Sequence, residues 1–166
     1  MTLVVLVGPM GAGKTTVAEL LAKAYGVAAR DTDADIEAAA GRSISDIFVD
    51  AGEAHFRELE RAAVADALAD HDGVLALGGG AVLDPATREQ LATHRVVFLR
   101  VGLSEAVKRV GLGVGRPLLL GNVRSRIKAL LDERTPIYES VADIVVDTDQ
   151  RPAADVADEI RKALDA

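Results

Sequence analysis

An α/β fold built on a five-stranded parallel sheet, with helices on both faces, is what this sequence predicts. Three observations carry the prediction. Short apolar, β-branched runs recur along the chain; segments with helical apolar spacing separate them; and the unusual residues stand just after the strands. Ligands of such sheets bind beyond the carboxyl ends of the strands, so the third observation also locates a site.

The first strand is the run from Leu3 to Val7, broken by Gly8. Val17, Leu20, Leu21 and Ala24 recur at helical spacing between Lys14 and Tyr25, and Gly26 stands where a helix C-terminus wants it. A short strand over Val27 to Ala29 then leads into Asp31-Thr32-Asp33. Two short helices follow, Asp35 to Ala40 and Ile44 to Asp50, the second capped by Ser43. A long helix from Glu53 to His71 buries Phe56, Leu59, Ala63 and Ala67. Val74 to Leu77 is the third strand, closed by Gly78-Gly79-Gly80, and Asp84-Pro85 opens a helix to Leu91 as N-cap and N1. Val96 to Val101 reads as a buried fourth strand. Ser104 caps a short helix that stops in Gly111-Leu112-Gly113-Val114-Gly115, a stretch too rich in glycine for regular structure. Asn122 caps another helix, Thr135-Pro136 starts or kinks a further one, Ile144 to Val146 is the last strand, and Pro152 to Leu164 the last helix.

A chain of 166 residues fits one domain, here 1–166. No apolar stretch is long enough to span a membrane, and no secretory leader opens the sequence. The absence of cysteine excludes disulfides and thiolate metal sites, and a cytoplasmic protein is expected. A net charge of −7, spread along the chain, argues against nucleic acid as a partner. With few aromatics and no Trp, stacking on a base would fall to Arg or an apolar side chain.

Gly8-Pro9-Met10-Gly11-Ala12-Gly13-Lys14-Thr15 matches G-x-x-x-x-G-K-[ST] between a strand and a helix. Gly11, Ala12 and Gly13 would turn backbone N–H groups onto ATP phosphates, where the helix dipole favours the same anion. Lys14 can bridge the β- and γ-phosphates, the Thr15 hydroxyl can ligate Mg²⁺, and Thr16 adds a donor near the α-phosphate. The loop leaves the phosphate acceptor open, because many NTPases share it.

Asp31 and Asp33 lie two apart after a strand, so in an extended chain both carboxylates face one way. Taken alone they read rather as a solvated acidic turn, or as a helix N-cap with Asp33 capping the helix that begins near Asp35. Arg57 and Glu60, three apart on the long helix, could be an ordinary surface pair. The triple glycine could be a simple turn, and Phe48 and Phe56 plain core.

Taken together these segments resemble the shikimate kinases, over almost the whole chain. The likeness is carried by Asp31-Thr32-Asp33, Gly41-Arg42-Ser43-Ile44, Asp46-Ile47-Phe48, Gly52-Glu53, Phe56-Arg57, Gly78-Gly79-Gly80, Arg116-Pro117-Leu118-Leu119 and Arg134-Thr135-Pro136-Ile137-Tyr138. It is strongest to actinobacterial members, including the run Leu68 to Leu75. The resemblance implies a P-loop fold like that of the nucleoside monophosphate kinases, with a substrate-binding helical segment over 31–61 and an ATP lid over 111–120. It implies phosphorylation of the shikimate 3-hydroxyl by Mg-ATP, in a monomer. Asp33 would hold the acceptor hydroxyl and take its proton, and Asp31 would hold Mg²⁺ through water. Arg57 and Arg134 would clamp the substrate carboxylate, with Glu60 orienting Arg57. Gly78, Gly79 and Gly80 would approach the acceptor, and Phe48 and Phe56 would floor the ring. Arg116 is the lid arginine; Arg109 and Pro152 would sandwich the adenine, with Arg151 beside it. The lid departs from the family's polar pattern at Leu112 and Val114. A gluconate kinase of the same fold is the nearest alternative, opposed by Phe56-Arg57 and the triple glycine. A nucleotide-binding module without phosphotransfer is opposed by the joint presence of Lys14, Asp33 and Arg116.

Overall fold

β1 (Val4–Val7) is buried along its whole length, which requires cover on both sides of the strand. The computed structural model, which describes residues 2–114 and 120–166, supplies that cover. β1 lies at the centre of a parallel sheet with β2 (Ala29–Asp31), β3 (Val74–Ala76), β4 (Val96–Arg100) and β5 (Ile144–Asp147), in the order β2-β3-β1-β4-β5. Val5 pairs with Leu75 on one side and Val96 on the other.

Alternation along the strands then sorts the core into two halves. Val4 and Leu6 point to the face covered by α1 (Lys14–Tyr25) and α7 (Ala153–Asp165), whose Val17, Leu21, Val156 and Ile160 complete the cluster. Val5 and Val7 point to the other face, where Val64 of α3 (Ile44–Asp70), Leu91 of α4 (Pro85–Leu91) and Tyr138 of α6 (Leu120–Val141) close over them. Full burial of such aliphatic side chains contributes about 1.5–3 kcal/mol each. A smaller cluster, Ile36, Ile47 and Phe56, joins α2 (Thr32–Ala40) to α3 beside the sheet's carboxyl edge.

Several boundaries differ from the sequence expectation, each for a local reason. Val27 is not in a strand: its N–H bonds Ala22 O at 2.9 Å and Gly26 N–H bonds Lys23 O at 3.3 Å, a Schellman end to α1, so β2 starts at Ala29. Asp33 caps nothing. The chain turns helical at Thr32, and Asp31 is the cap, accepting from Asp33 N–H and Ala34 N–H. The two expected helices over 44–50 and 53–71 are joined as α3, with a break at Gly52, whose φ of 85° and ψ of 166° are open to glycine. Asp84 is the α4 N-cap by backbone position, but its carboxylate is taken by Arg61 and Thr87.

α5 (Leu103–Val114) begins one residue before Ser104 and runs through Gly111 and Gly113. Glycine weakens a helix by about 1 kcal/mol per residue and does not forbid it. Asn122 lies inside α6 rather than capping it, and Pro136 sits within the same helix instead of starting another. Burial of Tyr138 and packing of Ile137 hold the turn that follows the proline. Gly115 and Arg116 to Leu119 of the expected lid lie outside the described residues.

Candidate active site

The loop after β1 ends at Gly13, which has a φ of 88° and stands at the N-terminus of α1. Lys14 is half-buried and folds back over the loop. Its Nζ donates to Gly8 O at 2.7 Å and Pro9 O at 2.9 Å. Burial pulls its ammonium down to about 8 against the attraction of Asp33 and Asp31. Thr15 and Thr16 are exposed on the first turn.

The end of β2 and the start of α2 give the two aspartates different surroundings. Asp31 is engaged on both oxygens: Oδ2 accepts from the Thr15 hydroxyl at 2.7 Å, and Oδ1 from Asp33 N–H at 2.8 Å. Asp33 Oδ1 is buried with no hydrogen-bond partner among the described residues. Desolvation, reinforced by Asp31 and Glu60, raises the Asp33 carboxyl to about 6 despite Lys14. A Cβ on Gly78 would stand 2.5 Å from Asp33 Oδ1, so only glycine leaves that carboxylate its place.

Arg57 projects from α3 just past the Gly52 break. Its Nη1 donates to Glu60 Oε1 at 2.8 Å and its Nη2 to Glu53 Oε1 at 3.3 Å. Glu60 is only 4% exposed, so this is a buried, oriented pair rather than a surface one. Phe56 lies under the Arg57 guanidinium at 5.4 Å and against Phe48 at 4.8 Å. A Cβ on Gly80 would overlap the same guanidinium, and one on Gly79 would lie 3.7 Å from Arg134 Nη1. Arg134 Nε is buried with no partner among the described residues.

These groups line one cavity of about 770 Å³, reached by Lys14, Thr15, Asp31, Asp33, Arg57 and Arg134. It thus joins a phosphate-type loop to two arginines and an unpartnered carboxylate. That combination suits an anion carrying a hydroxyl group. A sequence model of the family described as shikimate kinase matches residues 10–165.

The chain belongs to the shikimate kinase family.

It is accordingly an ATP-dependent kinase acting on shikimate. The chain is 57% identical over 164 residues to the shikimate kinase of Thermobifida fusca, covering 99% of this chain and 95% of that one. It is 58% identical over 162 residues to that of Salinispora arenicola, covering 98% and 97%. The fold superposes with a TM-score of 0.90 on the shikimate kinase of Acinetobacter baumannii in complex with shikimate. That pair is 37% identical, with 97% of this chain and 91% of the other covered.

Against the expectations for a shikimate kinase, the structure brings Lys14, Thr15, Asp31, Asp33, Arg57, Gly79, Gly80 and Arg134 to one cavity. Ala12, Gly78, Arg109, Arg151 and Pro152 are not in its lining. Arg109 is occupied by the protein: Nη1 donates to Gly11 O at 2.8 Å and Nη2 to Thr148 O at 3.0 Å. Arg151 donates to Asp147 O at 2.8 Å and pairs with Glu159, and Pro152 is the N-cap of α7. Sequence reasoning missed the wall formed by Val123, Arg126, Ile127 and Leu130. Their helical spacing was readable, but not which way that face of α6 turns. It also missed Thr32, fully buried, whose Oγ1 accepts from Gly78 N–H at 3.3 Å and ties the aspartate turn to the triple glycine.

Proposed function

We propose that in this chain the γ-phosphate of ATP passes to the 3-hydroxyl of shikimate with Asp33 as the proton acceptor. The observation that carries this is Asp33 itself, a half-buried carboxylate with one oxygen unpartnered, in a cavity shared with the phosphate loop. The substrate hydroxyl oxygen attacks the γ-phosphorus as the bond to the β,γ-bridging oxygen breaks. The hydroxyl proton goes to Asp33, and ADP leaves. Phosphoryl transfer of this kind depends on positioning and charge more than on base strength.

Arg57 and Arg134 take the shikimate carboxylate, with Glu60 and Glu53 fixing the Arg57 fork. Gly78, Gly79 and Gly80 leave room beside Asp33 and Arg57 for the acceptor ring. Gly11, Ala12, Gly13, Lys14, Thr15 and Thr16 bind the nucleotide phosphates, and Lys14 exchanges its two loop carbonyls for phosphate oxygens. Arg116, outside the described residues, would add charge stabilisation to the transferring phosphoryl. Arg109 and Pro152 flank the adenine, with Arg151 nearby.

The donors fit Mg²⁺. The Thr15 hydroxyl and the Asp31 carboxylate are hard oxygens already 2.7 Å apart, and among the described residues no cluster of three or more His, Cys, Asp or Glu competes for a metal. That is the pattern for an ion held by few protein oxygens together with nucleotide phosphates. Mg²⁺ would neutralise developing phosphate charge there, with Thr15 as a ligand and Asp31 holding it through water.

Residues 1–166 act as one kinase unit, with phosphate loop 8–15 and substrate segment 31–61, as a cytoplasmic monomer that takes no nucleic acid. Among the described residues no helix is long and apolar enough to cross a membrane. The test is ADP release coupled to a panel of hydroxy acids: shikimate should be the preferred acceptor, and Asp33→Asn should lower kcat by about 10²-fold. Equal turnover of Asp33→Asn would overturn the assignment.

A further inference from the structure

Tyr138 belongs to no part of the site as so far described, yet its hydroxyl ends on it. The side chain is fully buried on α6, and its ring packs against Phe98 of β4 at 5.0 Å. Its O–H donates to Gly79 O at 2.6 Å, across 59 residues of sequence. Burial raises the hydroxyl above its ordinary value even with Arg134 and Arg57 nearby, so the donor proton is retained throughout the working range.

In a trans peptide the C=O of one residue and the N–H of the next point in opposite directions, and the chain has no cis bond among its described residues. Holding Gly79 O toward the buried hydroxyl therefore aims the Gly80 N–H away from it. Glycine supplies no side chain to fix that peptide plane. The turn is held at its ends by Gly78 N–H to Thr32 Oγ1 at 3.3 Å and Ala81 N–H to Gly78 O at 3.1 Å, and the Tyr138 hydroxyl holds its middle carbonyl. Gly79 and Gly80 line the cavity, and Arg57 lies against Gly80. Arg134 stands one turn before Tyr138 on the same helix, so α6 presents the arginine to the cavity and the tyrosine to the turn together.

We infer that Tyr138 is a positioning residue for the phosphoryl acceptor, fixing the Gly79–Gly80 peptide so that the glycine turn and Arg134 keep one geometry. The inference rests on the acceptor-side reading given above. Tyr138→Phe removes only the hydroxyl and keeps the ring on Phe98. The expected result is a rise in KM for shikimate or a fall in kcat, together about tenfold to a hundredfold, the scale on which misplacement acts. KM for ATP should stay within about twofold.

Phe98→Leu, which loosens the same packing but leaves the hydroxyl, controls for a purely structural role. It should lower Tm without that split between substrates. Wild-type constants in Tyr138→Phe, or the same split in Phe98→Leu, would overturn the inference. Asp33→Asn run alongside separates the two readings. If it is impaired while Tyr138→Phe is silent, only this inference falls. If it keeps wild-type constants, the acceptor-side reading falls and takes this one with it.

Discussion

At the scale of single residues the site is a set of groups held short of satisfaction. Asp33 is the sharpest case, because its carboxyl is raised to about 6 by burial and by Asp31 and Glu60. Its ionised form is the one that accepts a proton, so kcat/KM for shikimate, measured at subsaturating ATP, should fall as pH drops through about 6. Asp33→Asn should remove that limb; a limb that survives in the variant belongs to another group. The same shift carries a stability sign. The folded carboxyl binds its proton more tightly than the unfolded one, so Asp33 costs stability above its folded value, and the cost fades as pH falls through it to the unfolded value. Asp33→Asn should therefore raise Tm of the ligand-free protein by a few degrees at pH 8. The gain should shrink toward pH 4, and a loss at pH 8 would contradict it. Gly80→Ala makes a complementary case. The added methyl meets the end of the Arg57 side chain, which can swing away, so the fold should survive. KM for shikimate should rise at least about tenfold, the cost of a charged contact of 1.5–3 kcal/mol. KM for ATP unchanged alongside it would be the confirming pattern, and equal losses for both substrates would count against the Arg57 assignment.

At the scale of elements, the break in α3 decides where Arg57 points. Gly52 holds a φ of 85° and ψ of 166°, a conformation that costs other residues of order 1–3 kcal/mol. Gly52→Ala should lower Tm and weaken shikimate binding more than ATP binding, since Phe56 and Arg57 lie one turn beyond. Calorimetric titration of both ligands checks this, and equal losses would mean that the break serves folding alone. The elements also show what the sequence could and could not disclose. The unbroken apolar run of β1, helical spacing in α1 and the Gly-Lys-Thr turn are local patterns, and they were legible. The start of α2 was not, because Asp31 and Asp33 are both good caps and only the end of β2, set by pairing Asp31 with Ala76, decides between them. Pro136 within α6 misled for a related reason: burial of Tyr138 outweighs the local preference to break there.

At the scale of the whole molecule, the parallel sheet gathers the site. β1 ends in the phosphate loop, β2 in the aspartates and β3 in the triple glycine, three adjacent strands delivering their turns to one edge. α3 and α6 bring Arg57 and Arg134 from the helical cover to the same cavity. Arg57 and Arg134 are 77 positions apart in sequence, and no local signal joins them; only the resemblance to a family did. Arg57→Lys and Arg134→Lys keep the charge and lose the planar fork, so each should weaken shikimate at least about tenfold while sparing ATP. The division of the cavity into an ATP side and an acid-clamping side is the centre of this account. Titrating shikimate and Mg-ATP separately into the wild type, Arg57→Lys and Arg134→Lys measures it most directly. The account predicts that both variants lose shikimate affinity and keep ATP affinity; ATP affinity falling as far as shikimate affinity would contradict it.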